Sequence, residues 1–503
     1  MESGKDRDLP EYTEYGIAFD LGSTTLAAYL CTPFAKKESD AGGTAGTGEM
    51  QDTRGIPDAG GSPDAGRNLT AAPELLPEGV LLAISRVNPQ IAFGPDILSR
   101  VTYASRGAKE KKALSDILGD AVVSMTAELL SVYGVGIGEI PPDTAGALSG
   151  PDSGKASPPP GILSRILLVG NPVILGSVQD YPFEKTVREH FPKNTPFTLS
   201  DSFRAEFLPG IGNYVGADAL AASYALEEKR EGRTLLLIDI GTNAEIVLLR
   251  DDGNLATSVA AGPAMEGGNI SCGMRGEPGA IDKMSLTELV NGDFDLRFHT
   301  IDEATPKGVC GSGLLSLLQH LLETGAIDNT GYLCDRQAAL ASGCPYRIAG
   351  RIEIDNTGYS GRNNARYFRL TDLVRISQED IRELLLSISA LRSGTELLLR
   401  MAGLTASELD GIRLAGAFGS CITVESALAL GILPPIPAGK IRQCGNLAGS
   451  GAVRILLRKL SGEEVTDVIN LRKSILTVQL ANRPEFQELF YHYMTLPSRD
   501  RAE

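Results

Sequence analysis

At 503 residues the chain is too long for one ordinary core, and its length predicts roughly three units of about 150 residues. With 42% apolar and 22% charged residues, and no apolar run of about 18 residues, it reads as a soluble globular protein rather than a membrane span or a disordered chain. Forty-seven basic against sixty-three acidic side chains give a net charge of −16, which disfavours nucleic acid and anionic membrane surfaces as partners.

The first residues, MESGKDRDLPEYTEYG, lack the apolar core of a secretory signal, so residues 1–13 are expected to be a flexible N-terminus and the location cytoplasmic. Tyr15 to Asp20 and Leu26 to Cys31 read as two strands of a hairpin, and Val80 to Ser85 as a third strand. Between them, from about residue 35 to 73, Gly, Ala, Asp, Ser and Thr leave little to bury, and a disordered insertion is expected. A second is expected at 141–160, which closes on Ser-Pro-Pro-Pro. Helices are predicted over Asp96–Ser105, Ala113–Tyr133 and Gly216–Lys229, the last with Asp218 late for an N-cap.

The strand pattern then restarts. Arg233–Asp239 and Glu245–Arg250 flank a turn, with Leu255–Val259 beyond, followed by helices at Gly311–Thr324, Gln378–Ala402 and Val424–Leu430. Asp20-Leu-Gly-Ser-Thr-Thr and Asp239-Ile-Gly-Thr-Asn-Ala occupy the same place in two strand–turn–strand units, which predicts a duplicated α/β lobe. Division into a first lobe and middle region (14–231), a second lobe (232–465) and a C-terminal segment (466–503) follows.

Both turns suit a polyphosphate. Gly22 and Gly241 let backbone N–H groups approach phosphate oxygens; Ser23, Thr24, Thr25, Thr242 and Asn243 add donors; the carboxylates can hold hydrated magnesium. One such turn alone would equally suit a tight hairpin. The third element is Arg413-Leu-Ala-Gly-Ala-Phe-Gly-Ser420, a strand entering a Gly416-x-x-Gly419 turn that can lie against a base and ribose. Two phosphate hairpins and a distal glycine turn, in this order, resemble the actin-like ATPase superfamily of acetate and sugar kinases, heat-shock chaperones and actin. The resemblance implies duplicated ribonuclease-H-like lobes with a nucleotide cleft between them.

It narrows at Ala260-Ala-Gly-Pro-Ala-Met-Glu-Gly-Gly268, Gly273-Met-Arg-Gly, Gly279-Ala-Ile, Gly308-Val-Cys-Gly-Ser-Gly313 and Gly445-Asn446. These are similar to the C-terminal domain of the reductive activators of corrinoid proteins. Asn88-Pro-Gln-Ile-Ala-Phe-Gly-Pro-Asp-Ile-Leu-Ser-Arg100 and Val169-Gly-Asn-Pro-Val-Ile-Leu-Gly176 resemble that family's middle region. The family hydrolyses ATP to help move an electron onto an inactive cobalt(II) corrinoid. Familiar members carry a ferredoxin domain or iron–sulfur clusters. The seven scattered cysteines here form no such spacing, so no iron–sulfur cluster is expected in this chain and the electrons would come from a separate ferredoxin-type protein.

By this resemblance Asp20 and Asp239 flank magnesium-bound phosphates, one positioning the ion and the other orienting water, with the assignment between them open. Glu245 and Glu266 are second-rank catalytic candidates, Glu245 being equally a solvated strand end. Gly311, Ser312 and Gly313 open an apolar helix where N–H groups could meet an anion, or simply form a tight helix entry. Cys310 is read as a buried thiol and His320 as a packed core residue. The resemblance implies ATP and Mg2+ as cofactors, a corrinoid protein or corrinoid methyltransferase as partner, and a homodimer, for which the residues themselves give no reason. Two other readings stay open: an ATP-dependent binding or chaperone-like module that passes no electrons, and a sugar-kinase-like phosphotransferase, for which no sugar-binding element is recognisable.

Overall fold

The computed structural model describes residues 13–33, 79–94, 96–135, 161–193, 195–212, 214–227, 230–355, 365–481 and 483–498. Both predicted insertions and residues 1–12 lie outside them. Two sheets organise the chain. The first contains β1 (Thr13–Leu21), β2 (Thr25–Cys31), β3 (Val80–Val87), β4 (Gly161–Gly170) and β5 (Phe197–Phe207), in the order β3-β2-β1-β4-β5. β1, β2 and β3 pair antiparallel, whereas β4 lies parallel to β1 and β5 parallel to β4.

The second sheet repeats that plan. β6 (Leu235–Ile240), β7 (Ala244–Leu249) and β8 (Asn254–Val259) form the antiparallel meander. Two small sheets follow before the plan is completed: β9 (Ala280–Glu288), β10 (Phe294–Thr300) and β11 (Gly308–Val309), then β12 (Ile352–Asp355), β13 (Ala365–Arg369) and β14 (Arg375–Ser377). β15 (Gly411–Ala415) and β16 (Ile441–Gln443) then add in parallel beside β6, giving β8-β7-β6-β15-β16. The C-terminal segment supplies β17 (Ile475–Thr477), parallel to β8 at the far edge. The fold is therefore the two-lobed, duplicated actin-like arrangement.

Side-chain size decides how the layers stack. Tyr15, Ile17, Phe19 and Leu21 alternate onto one face of β1, in a core shared with the Ala108–Val135 helix. Gly16 and Ala18 point the other way, where a Cβ on Gly16 would touch Leu456 of the Leu447–Leu460 helix. That helix follows β16 of the second sheet yet packs on the first. Its counterpart, Ala217–Glu227 after β5, is buried on nearly every side and shares a core with Leu237, Val247 and Ala415 of the second sheet. The two helices cross so tightly that a Cβ on Gly451 would run into the Ala221 carbonyl.

The Ala108–Val135 helix starts five residues before its predicted Ala113, because the charged stretch at 109–112 is made of good helix formers on the exposed side. The Gly416–Gly419 stretch is one helical turn rather than an open turn, closed by Ser420 N–H donating to the Gly416 carbonyl at 3.2 Å.

Candidate nucleotide site

Each hairpin is fastened from outside its own strands. Gly22 N–H donates to Thr25 O at 3.0 Å, and buried Asn88 donates from Nδ2 to Gly22 O (2.8 Å) and from its backbone N–H to Thr24 O (2.9 Å). Asn88 Oδ1 meanwhile accepts from Gln90 N–H at 2.9 Å. In the second hairpin, Gly262 N–H donates to Thr242 O at 3.0 Å, tying on the loop that carries Glu266. Ser23 and Asn243 are half-buried in the two turns, and Thr25 is exposed at the start of β2.

Glu266 joins the hairpins. Its Oε2 accepts from Thr24 Oγ1 and from Thr242 Oγ1, each at 3.2 Å. Withdrawal from water raises its proton affinity, against the opposing pull of these hydroxyls and of Arg275. Gly267, at φ +82°, turns the chain back directly after it. Gly241 lies beside the same carboxylate: a Cβ there would sit 3.7 Å from Glu266 Oε1.

Beneath the hairpins lie four carboxylates. Asp20 is the penultimate residue of β1, Asp239 sits near the end of β6, Glu245 is its cross-strand partner on β7, and Asp218 lies in the first turn of the Ala217–Glu227 helix. Burial lifts all four, and repulsion from neighbouring acids adds to it at Asp20, Asp239 and Glu245. Asp239 reaches about 8, through desolvation and then the charges of Asp218 and Asp20. Asp20 rises to about 7, through desolvation and Asp218, and Asp218 to about 6 through desolvation. Glu245 is also pushed well up, by desolvation and then Asp218 and Asp239. It is buried, not the solvated strand end that its sequence equally allowed, and it accepts from Ser258 Oγ at 3.2 Å.

Asn446 balances Asp20. Its Nδ2 donates to Asp20 Oδ2 at 2.7 Å while Oδ1 caps the Leu447–Leu460 helix by accepting from Gly449 N–H at 2.6 Å. Asn446 caps one of the two crossing helices and Asp218 lies in the first turn of the other; Asp218 raises the proton affinity of both Asp20 and Asp239, and at Asp20 the Asn446 amide opposes it. Gly416, at φ +84°, has no room for a Cβ because Asp239 Oδ1 sits there. Its N–H donates to Gly445 O at 3.1 Å. Gly419 packs more loosely, against Leu414.

The start of the Gly311–Thr324 helix packs against the loop that carries Glu266. A Cβ on Gly311 would strike the Met265 carbonyl, next to Glu266, and one on Gly313 the Ile281 carbonyl, so close packing accounts for both glycines. Ser312 Oγ lies 3.4 Å from the Sγ of buried Cys310. His320 pairs with Glu323 at 2.9 Å on the same helix. All seven cysteines are free, and Cys421 is exposed.

The donor set fits Mg2+ held with phosphate. The groups opposing the acids' repulsion are Asn446, Ser258 and backbone N–H groups rather than basic side chains, so a cation would supply the missing counter-charge. Among the described residues no three His, Cys, Asp or Glu converge closely enough to hold an ion by themselves. Mg2+ characteristically takes one or two carboxylates and completes its shell with water and phosphate oxygens. Asp218, Asn446 and Asn88 are the site residues that motif reading did not assign a role. Gly445-Asn446 and the Asn88 segment stood in recognised motifs, but a role for Asp218 had no local signal.

Comparison with known proteins follows the same lines. Residues 233–503 match the family described as the C-terminal domain of RACo, the ASKHA domain. The corrinoid activation enzyme RamQ of Eubacterium limosum is 28% identical over 487 residues, 95% of this chain and 69% of that protein. The Co(II) methylated amine-specific corrinoid protein reductase of Methanosarcina barkeri is 26% identical over 354 residues, 62% of this chain and 58% of that protein. A solved reductive activator for a corrinoid, iron–sulfur protein superposes with a TM-score of 0.65 at 22% identity, covering 97% of this chain and 67% of its own. The chain thus spans 58% to 69% of the length of these proteins.

Proposed function

This chain belongs to the family of the RACo C-terminal ASKHA domain, and from that premise we propose that it binds and hydrolyses ATP to support reduction of a cobalt(II) corrinoid protein to cobalt(I). The observation that carries the reading is the pair of equivalent hairpins, one from each lobe, that face each other through Glu266 above four carboxylates.

In this reading the polyphosphate lies between the turns at Gly22 and Gly241. Backbone N–H groups and the hydroxyls of Ser23, Thr24, Thr25 and Thr242, with the Asn243 amide, donate to it. Asp20, held by Asn446, and Asp239 are the residues that would hold Mg2+, which when bound supplies charge neutralisation for the phosphates. Asp218, with its proton affinity near neutrality, is suited to accept the proton of the attacking water, and Glu245 lies directly opposite Asp239 on the neighbouring strand. Gly416 and Gly419 form the nucleoside end. We take residues 14–231 and 232–465 as the two lobes that close on the nucleotide.

The corrinoid partner is inferred from the names of the relatives, and the electron is assigned to a separate ferredoxin-type donor. A cytoplasmic homodimer completes the proposal. Among the described residues no helix is long and apolar enough to cross a membrane. The test is the visible spectrum of a candidate corrinoid protein with this chain, ferredoxin and reductant, with and without Mg-ATP. A cobalt(II)-to-cobalt(I) change that needs both ATP and this chain is the expected result. Hydrolysis without that change, on a corrinoid protein another activator can reduce, would instead leave an ATP-dependent binding module.

A further inference from the structure

The helix Ile97–Ala104 is built inside out. Leu98 and Val101 are 75% and 43% exposed, whereas Arg100 is 2% exposed and is the one buried residue of that helix. A guanidinium stays protonated in proteins, so terminal nitrogens buried without acceptors are left unsatisfied rather than neutralised.

The carboxylate beside it is already engaged. Asp96 caps the same helix, with Oδ1 accepting from Ser99 N–H at 2.8 Å and Oδ2 from Ser99 Oγ at 2.7 Å. Arg100 Nε donates to the Gly94 carbonyl at 2.9 Å, which fixes the plane of the group. Nη1 and Nη2 are both buried, and among the described residues neither has an acceptor. The amide of Gln90, which packs in the same region, is committed to Leu114 O and Ser177 Oγ, each at 2.9 Å. The Pro89–Phe93 turn and the helices Ala108–Val135 and Pro172–Val178 close around the Arg100 helix.

We propose that Arg100 is the receptor of a second anion site, separate from the phosphate hairpins, whose ligand is an oxyanion engaged by the two terminal guanidinium nitrogens. A planar fork with one nitrogen anchored and two free matches the paired oxygens of a phosphate or a carboxylate. Both terminal nitrogens are buried, so an anion reaches them only when the packing around the Ile97–Ala104 helix opens. The segment that carries it begins at Asn88, which pins the first hairpin, and that continuity joins the second site to the first.

The test compares wild type with Arg100→Met, which keeps the volume and removes the charge. Melting midpoints are followed as sodium phosphate, sodium acetate or sodium chloride is added at matched ionic strength. Binding at the hairpins is common to both proteins, so the difference between them reports Arg100. The expected result is a midpoint rise at least about 2 °C greater in wild type than in the variant. Phosphate alone producing it identifies a phosphate ligand; acetate producing it identifies a carboxylate. Crystals of the wild type soaked in selenate give a readout that does not need the variant to fold, namely an anomalous peak against Nη1 and Nη2. Equal responses of both proteins to all three salts, together with no selenate peak, would overturn the proposal.

Discussion

In the proposed role Asp239 meets two opposed demands, since its carboxylate would have to be charged to hold a cation yet lies where burial and two other acids favour the proton. Replacing it by Asn keeps the shape and removes the charge, so ATP turnover is expected to fall about 10²- to 10³-fold with an unchanged circular dichroism spectrum. Unchanged turnover would remove Asp239 from the mechanism. The raised proton affinities also fix the sign of a pH dependence. Unfolded carboxylates release protons near pH ~4, while folded Asp20 and Asp239 keep theirs to about 7 and 8. Between those limits these two groups bind more protons folded than unfolded, so their contribution to the stability of the nucleotide-free protein falls as pH rises from about 4 to 8. Relative to wild type, the Asp239→Asn variant should gain stability as pH rises across this window in thermal melts, and parallel pH profiles of the two proteins would contradict the raised affinity of Asp239. Glu266 occupies the hydroxyls that a phosphate would need, so Glu266→Gln is expected to bind Mg-ATP about three- to tenfold more tightly by calorimetry. Weaker binding would mean that Glu266 itself grips the nucleotide.

At the scale of elements, the first hairpin depends on a residue far from it in sequence. Asn88→Ala removes the hydrogen bond to Gly22 and the one from Gln90, and the expected cost is about 1–3 kcal/mol in denaturant unfolding, with weaker nucleotide binding. A midpoint equal to wild type would show that the strand pairing alone holds the turn. How much was legible in the sequence follows from the same distinction between local and distant causes. Asp20 and Asp239 announced themselves because an apolar strand, an Asp and a Gly two residues on are contiguous. Asp218 could not be read that way: it acts on Asp239 only because an alanine-rich helix from one lobe packs beneath the sheet of the other. Gly416 was legible as a glycine but not for its reason, which is the Asp239 carboxylate pressed against it. Short strands such as β11 and β14 offer too few residues for alternation to emerge, and they went unread.

At the scale of the molecule, the lobes are not separate bodies joined by a linker. Each sends a helix onto the other's sheet, and one core contains Ala18, Leu167, Leu237 and Val247 from both. Any closing motion must therefore turn about the place where these helices cross. There Gly451 lies so close to the Ala221 carbonyl that no side chain fits between them. Gly451→Val should separate the helices, and because Asn446 stands at the head of one of them, the displacement should carry its amide away from Asp20. The expected outcome is a lower melting midpoint together with loss of ATP turnover, although no atom near the phosphates has been altered. A variant that melts early but hydrolyses ATP at the wild-type rate would show that the crossing stabilises the fold without governing the site. A variant indistinguishable from wild type in both would show that the helices can part without cost, and that the lobes are held in register by the hairpins and Glu266 instead.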